Sequence, residues 1–188
     1  MDRVDFGPLA ILVGQWNGIK GLDKSPDNQA RPDLSPYTDE LIFTRVGPAI
    51  NAQQQQVAAV KYHHVVRNNK NGQVFHDQIG HWMYEAATQT VMHSLTIPRG
   101  VCLLAGGCYK EVNQPGGKAF EFEVAAKAGS DTFGIAQSPF MLDNAKTKAF
   151  TLRMTVCGDT LSYRQVMSLH IYGKDFEHED SSSLVRVK

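Results

Sequence analysis

Phe6-Gly7-Pro8-Leu9-Ala10-Ile11-Leu12-Val13-Gly14-Gln15-Trp16-Asn17-Gly18 decides how this chain is read. A short apolar segment runs straight into a Gly-x-Trp-x-Gly unit. Glycines two residues either side of a tryptophan leave room beside the indole and let the backbone bend. That suits a first strand entering a small β-barrel, with the apolar segment before it closing one end. A hydrophobic N-terminal helix followed by a turn is the other reading of the same residues.

The sequence downstream favours the strand. Apolar and polar residues alternate through Phe120-Glu121-Phe122-Glu123-Val124, through Phe150 to Val156 and through Leu161 to Met167. A period of two with one apolar face marks a half-buried strand. Asn71-Gly72, Pro115-Gly116-Gly117 and Gly158-Asp159 punctuate these runs as turns. Strands are expected at 14–21, 37–46, 50–66, 74–84, 89–96, 100–112, 118–127, 148–157, 160–170 and 182–187. Many strands joined by short turns point to an all-β fold, a single antiparallel up-and-down β-barrel of about ten strands with a short N-terminal helix closing one end. A β-sandwich is the alternative. Leu22–Ser35, rich in Asp, Pro and Asn, reads as a loop, and Gly134–Lys146 as the place for a short helix. The run Gln53-Gln54-Gln55-Gln56 falls inside an expected strand. Two of its amides would face inward and need partners or water, so that strand would border a wet cavity.

The chain has 188 residues, 42% apolar and 20% charged, which suits one domain over 1–188 with a sizeable core. Its formal net charge is zero, and no Lys/Arg run is present, so a nucleic-acid or anionic-membrane partner is not expected. No apolar run approaches the roughly 20 residues of a membrane helix, and Asp2 and Asp5 precede a short apolar stretch that lacks a signal-peptide cleavage site. The expected compartment is the cytoplasm. Cys102, Cys108 and Cys157 form neither a disulfide framework nor a zinc-ribbon pattern and are expected to be buried small hydrophobes.

Pro8-Leu9-x-x-Leu12-x-Gly14-x-Trp16-x-Gly18 resembles the start of the nitrobindin family, heme-binding β-barrels similar in shape to fatty-acid-binding proteins and lipocalins. Further motifs extend the resemblance over nearly the whole chain. Tyr37-Thr38-Asp39-Glu40-Leu41-Ile42-Phe43, followed by Gly47-Pro48, matches the family's second strand. His76-Asp77-Gln78-Ile79-Gly80 matches its His-x-x-x-Gly. Leu161-Ser162-Tyr163 and Val166-Met167 match a late strand, and His178, Leu184 and Arg186 follow in the family's order. The chain also departs from the pattern. Ile19-Lys20-Gly21 displaces a glycine, Leu22–Ser35 lacks the family's Tyr-Pro-Thr, Thr96–Val101 is not a general family feature, and the spacing from Met167 to the last strand is longer than usual.

The resemblance implies heme b as cofactor, with His178 as the iron ligand and His76 and Met167 as cofactor-binding residues. It implies nitric oxide binding, or isomerisation of peroxynitrite to nitrate, at ferric heme. A carboxylate beside His178, within Glu177-His178-Glu179-Asp180, would accept a hydrogen bond from the free ring N–H. His170 is the competing ligand, but its parity places it outside the barrel. His63 and His64 are adjacent, so one faces in and one out. His81 and His93 read as structural or surface residues. No spacing supports a zinc finger or an H-E-x-x-H helix. Neither a G-x-S-x-G elbow nor a phosphate-binding glycine loop is present. Pro98-Arg99-Gly100 reads either as an anion-contacting turn at the barrel mouth or as a plain tight turn. A heme-free carrier of a fatty acid or other apolar ligand is the alternative function, and a filled barrel serving as an interaction module is a third. The partner is a small molecule in the first two, and a homodimer is compatible with all three.

Overall fold

The structure is a computed structural model that describes residues 5–188. A 3-10 helix, Gly7–Leu12, leads into β1 (Gly14–Pro26), β2 (Pro32–Asn51), β3 (Gln55–Asn68), β4 (Val74–Glu85), β5 (Thr90–Ile97), β6 (Val101–Gln114) and β7 (Gly117–Lys127). A short β8 (Ile135–Gln137) and α1 (Pro139–Asn144) precede β9 (Ala145–Cys157), β10 (Thr160–Ile171) and β11 (Lys174–Arg186). All pairings are antiparallel, and the long strands close into a ten-membered ring in which β7 meets β9 and β11 returns to β1. β8 lies on the part of β6 that β7 does not reach. The expected all-β barrel, with its short helix at the start, is the fold observed.

The interior is layered along the strands. At the end under the 3-10 helix, Leu9, Leu12, Trp16, Phe43, Trp82 and Leu184 form part of one continuous apolar core. Trp16 is fully buried and donates its indole N–H to the Leu12 carbonyl at 2.8 Å. The Arg186 guanidinium stacks 4.0 Å from the Trp16 ring centroid and donates to the carbonyls of Val13 (2.6 Å) and Ile11 (2.7 Å). Carbonyls left open where the 3-10 helix ends are thereby satisfied from the last strand.

A bulge in β1 sets what the other end of the barrel contains. Against β2 the pairing passes from Gly18↔Asp39 to Gly21↔Tyr37, three steps on one strand and two on the other. Against β11 it passes from Gly18↔Leu184 to Leu22↔Ser181. One extra residue at Ile19-Lys20 therefore switches parity. Trp16 and Gly18 face inward before it, and Gly21 and Asp23 face inward after it. The glycines make room for neighbours other than the indole. A Cβ on Gly18 would collide with the Asp39 carboxylate, and one on Gly21 with the Tyr37 ring. The displaced glycine at 21 is thus the seat of an inward tyrosine.

Four expectations need correction. Residues 22–35 are not a loop: β1 and β2 continue as a ladder from Leu22↔Pro36 to Pro26↔Pro32, leaving a turn at Asp27–Arg31. The Asp27 carboxylate accepts from the backbone N–H groups of Gln29 and Arg31, both at 2.8 Å. Pro26 and Pro32 sit at strand ends, where a missing ladder donor is tolerated. The glutamine run does not lie within one strand, because Ala52 and Gln53 adopt left-handed φ (49° and 59°) and turn the chain between β2 and β3. The inward amides belong instead to Gln78 and Gln165. The cysteines are not buried: Cys102 and Cys108 are exposed and Cys157 is half-buried, since the first two occupy outward positions of β6, between inward residues such as Val101 and Leu103. The last strand begins at Lys174, earlier than expected, so His178 lies within it. The short helix within 134–146 is α1, with Ser138 as its N-cap and Pro139 in its first turn.

Trp16→Ala leaves a large cavity and removes the indole bond to Leu12. The expected loss is about 3–5 kcal/mol, read as a lowered urea midpoint.

Candidate functional site

Away from the helix-capped end the barrel opens into a cavity of about 570 Å³. The size lies within the roughly 300–1,000 Å³ of small-molecule sites. Its wall is partly apolar, with Val66, Phe75, Ile97, Val101, Met167 and Leu169, and partly polar, with His64, His76, His178, Tyr163 and Gln165. Phe140 and Met141 of α1 and Tyr172 of the β10–β11 turn contribute to it, as does Arg99. Arg99 donates to the Phe75 carbonyl at 3.0 Å, which fixes a cation beside the cavity.

His178 stands across from Met167 in the unbroken β10–β11 register, and both side chains face in. Its Nε2–H donates to Asp23 Oδ1 at 2.7 Å, and Asp180 Oδ2 lies 3.6 Å from the same nitrogen. Ser25 Oγ donates to the other Asp23 oxygen at 2.9 Å. Among the described residues no hydrogen bond reaches His178 Nδ1. Burial pulls the His178 pKa down, but the Asp23 hydrogen bond and the charges of Asp180 and Asp23 outweigh it and raise the pKa above its ordinary value.

A polar belt separates this cavity from the apolar end. Asp39, whose carboxylate is wholly buried, accepts from Ser182 Oγ (2.9 Å), Tyr163 Oη (3.0 Å) and His64 Nε2 (3.2 Å). The Tyr37 and Tyr163 hydroxyls lie 2.8 Å apart. Three donors meet the need of a desolvated carboxylate, which would otherwise be strongly destabilising. A second chain runs from His76 Nε2 to Gln78 Oε1 (3.2 Å), from Gln78 Nε2 to Tyr62 Oη (2.6 Å) and on to His93 Nε2 (3.3 Å). Burial, reinforced by the nearby His64, lowers the pKa of His76 to about 4 and of His93 to about 3. Both imidazoles are therefore neutral at pH 7.

The profile of the THAP4-like, heme-binding beta-barrel domain matches residues 5–186. The chain belongs to the THAP4-like heme-binding β-barrel domain family. The crystal structure of Rv2717c from M. tuberculosis superposes with a TM-score of 0.72, covering 98% of this chain and 100% of that one at 23% identity. That likeness speaks for the fold. No curated protein matches the chain. The resemblance read from the Gly-x-Trp-x-Gly start and the motifs after it led to the right family.

Within this THAP4-like barrel, His178, His76 and Met167, the three residues named from sequence, line one cavity. His170 is exposed and pairs with Asp175 outside the barrel, as its parity indicated. His63 faces out toward Asp77, His64 faces in, and His93 is fully buried. The carboxylate that holds His178 comes chiefly from β1 rather than from a neighbour on its own strand. Asp23 is not marked in the sequence, because the Asp-, Pro- and Asn-rich composition of Leu22–Ser35 mimics a loop. The signal was the displaced glycine at 21, which betrays the bulge. His64, Asp39 and Tyr163 could have been found from inward parity on strands already assigned.

The folded pKa of His93 lies below the unfolded value of about 6.5, so the unfolded chain binds the extra proton first as pH falls. Stability should therefore decline below pH 6.5, by up to about 1.4 kcal/mol per pH unit from this residue down to pH 4. Urea unfolding of the wild type and of His93→Phe across pH 4–7 should show a shallower acid limb in the variant.

Proposed function

We propose that this chain binds heme b in the cavity through His178, and that the bound heme binds nitric oxide or isomerises peroxynitrite to nitrate. The observation that carries the reading is the division of labour on the His178 ring. One nitrogen is fixed as a donor to Asp23, while the other has no partner among the described residues in a cavity of ligand size. A neutral imidazole with its N–H on a carboxylate presents its lone pair at the opposite nitrogen and is the more basic for it. The family assignment supplies the cofactor class.

The residues present fit such a group. The aliphatic and aromatic wall suits an apolar macrocycle, and Arg99 offers a cation to a carboxylate side chain of the cofactor. When bound, heme would supply a Lewis-acidic, redox-active iron. The protein's share is to hold that iron through one nitrogen, limit water through the apolar wall, and offer a ligand the neutral His76. Peroxynitrite isomerisation exchanges an O–O bond for an N–O bond and needs no co-reactant. A heme-free fatty-acid carrier accounts for the apolar wall but gives no role to three imidazoles.

A hemin titration of heme-free protein should give one-to-one saturable binding with a shifted Soret band. His178→Ala should weaken it at least tenfold and abolish accelerated peroxynitrite decay in stopped flow. Unsaturable hemin uptake by the wild type, with a melting temperature raised by fatty acid, would replace this reading with the carrier.

A further inference from the structure

Three donor atoms converge on one point of the cavity wall. Nε2 of His178 lies 2.7 Å from Asp23 Oδ1 and 3.6 Å from Asp180 Oδ2, and each of the three side chains offers an atom within 4.8 Å of the others. Asp23 and Asp180 are directly opposed in the β1–β11 register. Like charges placed so are destabilising. Among the described residues neither carboxylate forms an ion pair with a lysine or arginine; His178 is the partner of both. The chain goes to some length to build this arrangement, because without the bulge at Ile19-Lys20 Asp23 would face outward.

We propose that Asp23, His178 and Asp180 form a binding site for a divalent transition ion of the Zn²⁺ type. Zinc bonds of about 2.0–2.2 Å place tetrahedral ligand atoms roughly 3.3–3.5 Å apart. The two measured edges bracket that spacing, so an ion enters with side-chain shifts below about an ångström. The Ser25 bond holds the second oxygen of Asp23 and leaves Oδ1 directed at the ion, the outer support a metal-binding carboxylate needs. All three residues line the cavity, so the fourth position opens toward it. One imidazole among few oxygens selects against Mg²⁺ and Ca²⁺, which demand six or more oxygen ligands.

This site excludes heme ligation by the same ring. A neutral imidazole has one lone pair. An ion on Nε2 puts the ring proton on Nδ1, the nitrogen left for iron. Only this competition rests on the heme reading; the ion site stands on its own geometry.

Calorimetric titration of metal-free, heme-free protein with Zn²⁺ decides it. The wild type should show one saturable site, Asp180→Asn should weaken it tenfold or more, and Mg²⁺ should give no isotherm. Thermal melts confirm that the variant folds; Asp23→Asn replaces it otherwise. Absence of a saturable zinc isotherm overturns the proposal. So does an isotherm unchanged in the variants, which would put the ion on outward histidines such as His63 or His170. In the second arm, zinc should suppress the hemin Soret shift in the wild type and not in Asp180→Asn. Suppression absent from the wild type overturns the competition. Failure of the wild type to take up hemin without zinc counts against the heme reading and leaves the calorimetric result to decide the ion site.

Discussion

Closing a sheet on itself gives every strand one inward face, and a single added residue then decides what the interior contains. In this barrel that residue lies in the bulge at Ile19-Lys20. Upstream of it β1 contributes Trp16 to the apolar end. Downstream it contributes Asp23 to the cavity. β11 crosses the same region without a shift against β10, so His178 and Asp180 keep one parity throughout. The cavity corner is thus the meeting of an irregular strand with a regular one. Bulges re-aim side chains in this way wherever a sheet must carry a site.

The polar belt between core and cavity is the second constraint. The Asp39 carboxylate is wholly buried, and its three donors come from β3, β10 and β11. Gly18 must remain bare for that carboxylate to fit, and Gly21 for the Tyr37 ring whose hydroxyl extends the network. Polar groups in a low-dielectric interior are held firmly only when all are satisfied. Here the network ties down the floor of the cavity, so His64 and Tyr163 face it from hydrogen-bonded positions.

Much of this was legible in the sequence. Period-two alternation and Gly-containing turns located all ten long strands, and parity alone put His170 outside and one of the adjacent histidines 63 and 64 inside. The Gly-x-Trp-x-Gly start and His178 pointed to the family and to the cavity. Parity arguments failed where the period itself changed. Proline and aspartate around residues 22–36 mimic a loop, although Asp27 nucleates a tight turn and the flanking prolines sit at ladder ends. Ala52 and Gln53 take left-handed backbone that no propensity assigns to them. The loop-like composition around residues 22–36 also conceals Asp23. For Cys102 and Cys108, strand parity on β6 overrides the usual tendency of cysteine to be buried.

The latch between Arg186 and the 3-10 helix has a consequence for the order in which the protein can assemble. The first strand of the barrel finds one of its two neighbours only when the last strand of the barrel has emerged from the ribosome. Until then β1 and β10 expose open edges, and the carbonyls of Ile11 and Val13 await a guanidinium on β11. Hairpins such as β3–β4 can form as they are made, but ring closure is a late, long-range event with the entropic cost of joining distant segments. The nascent barrel is therefore an open, edge-exposed sheet for most of its synthesis, the interval in which chaperones would be most needed.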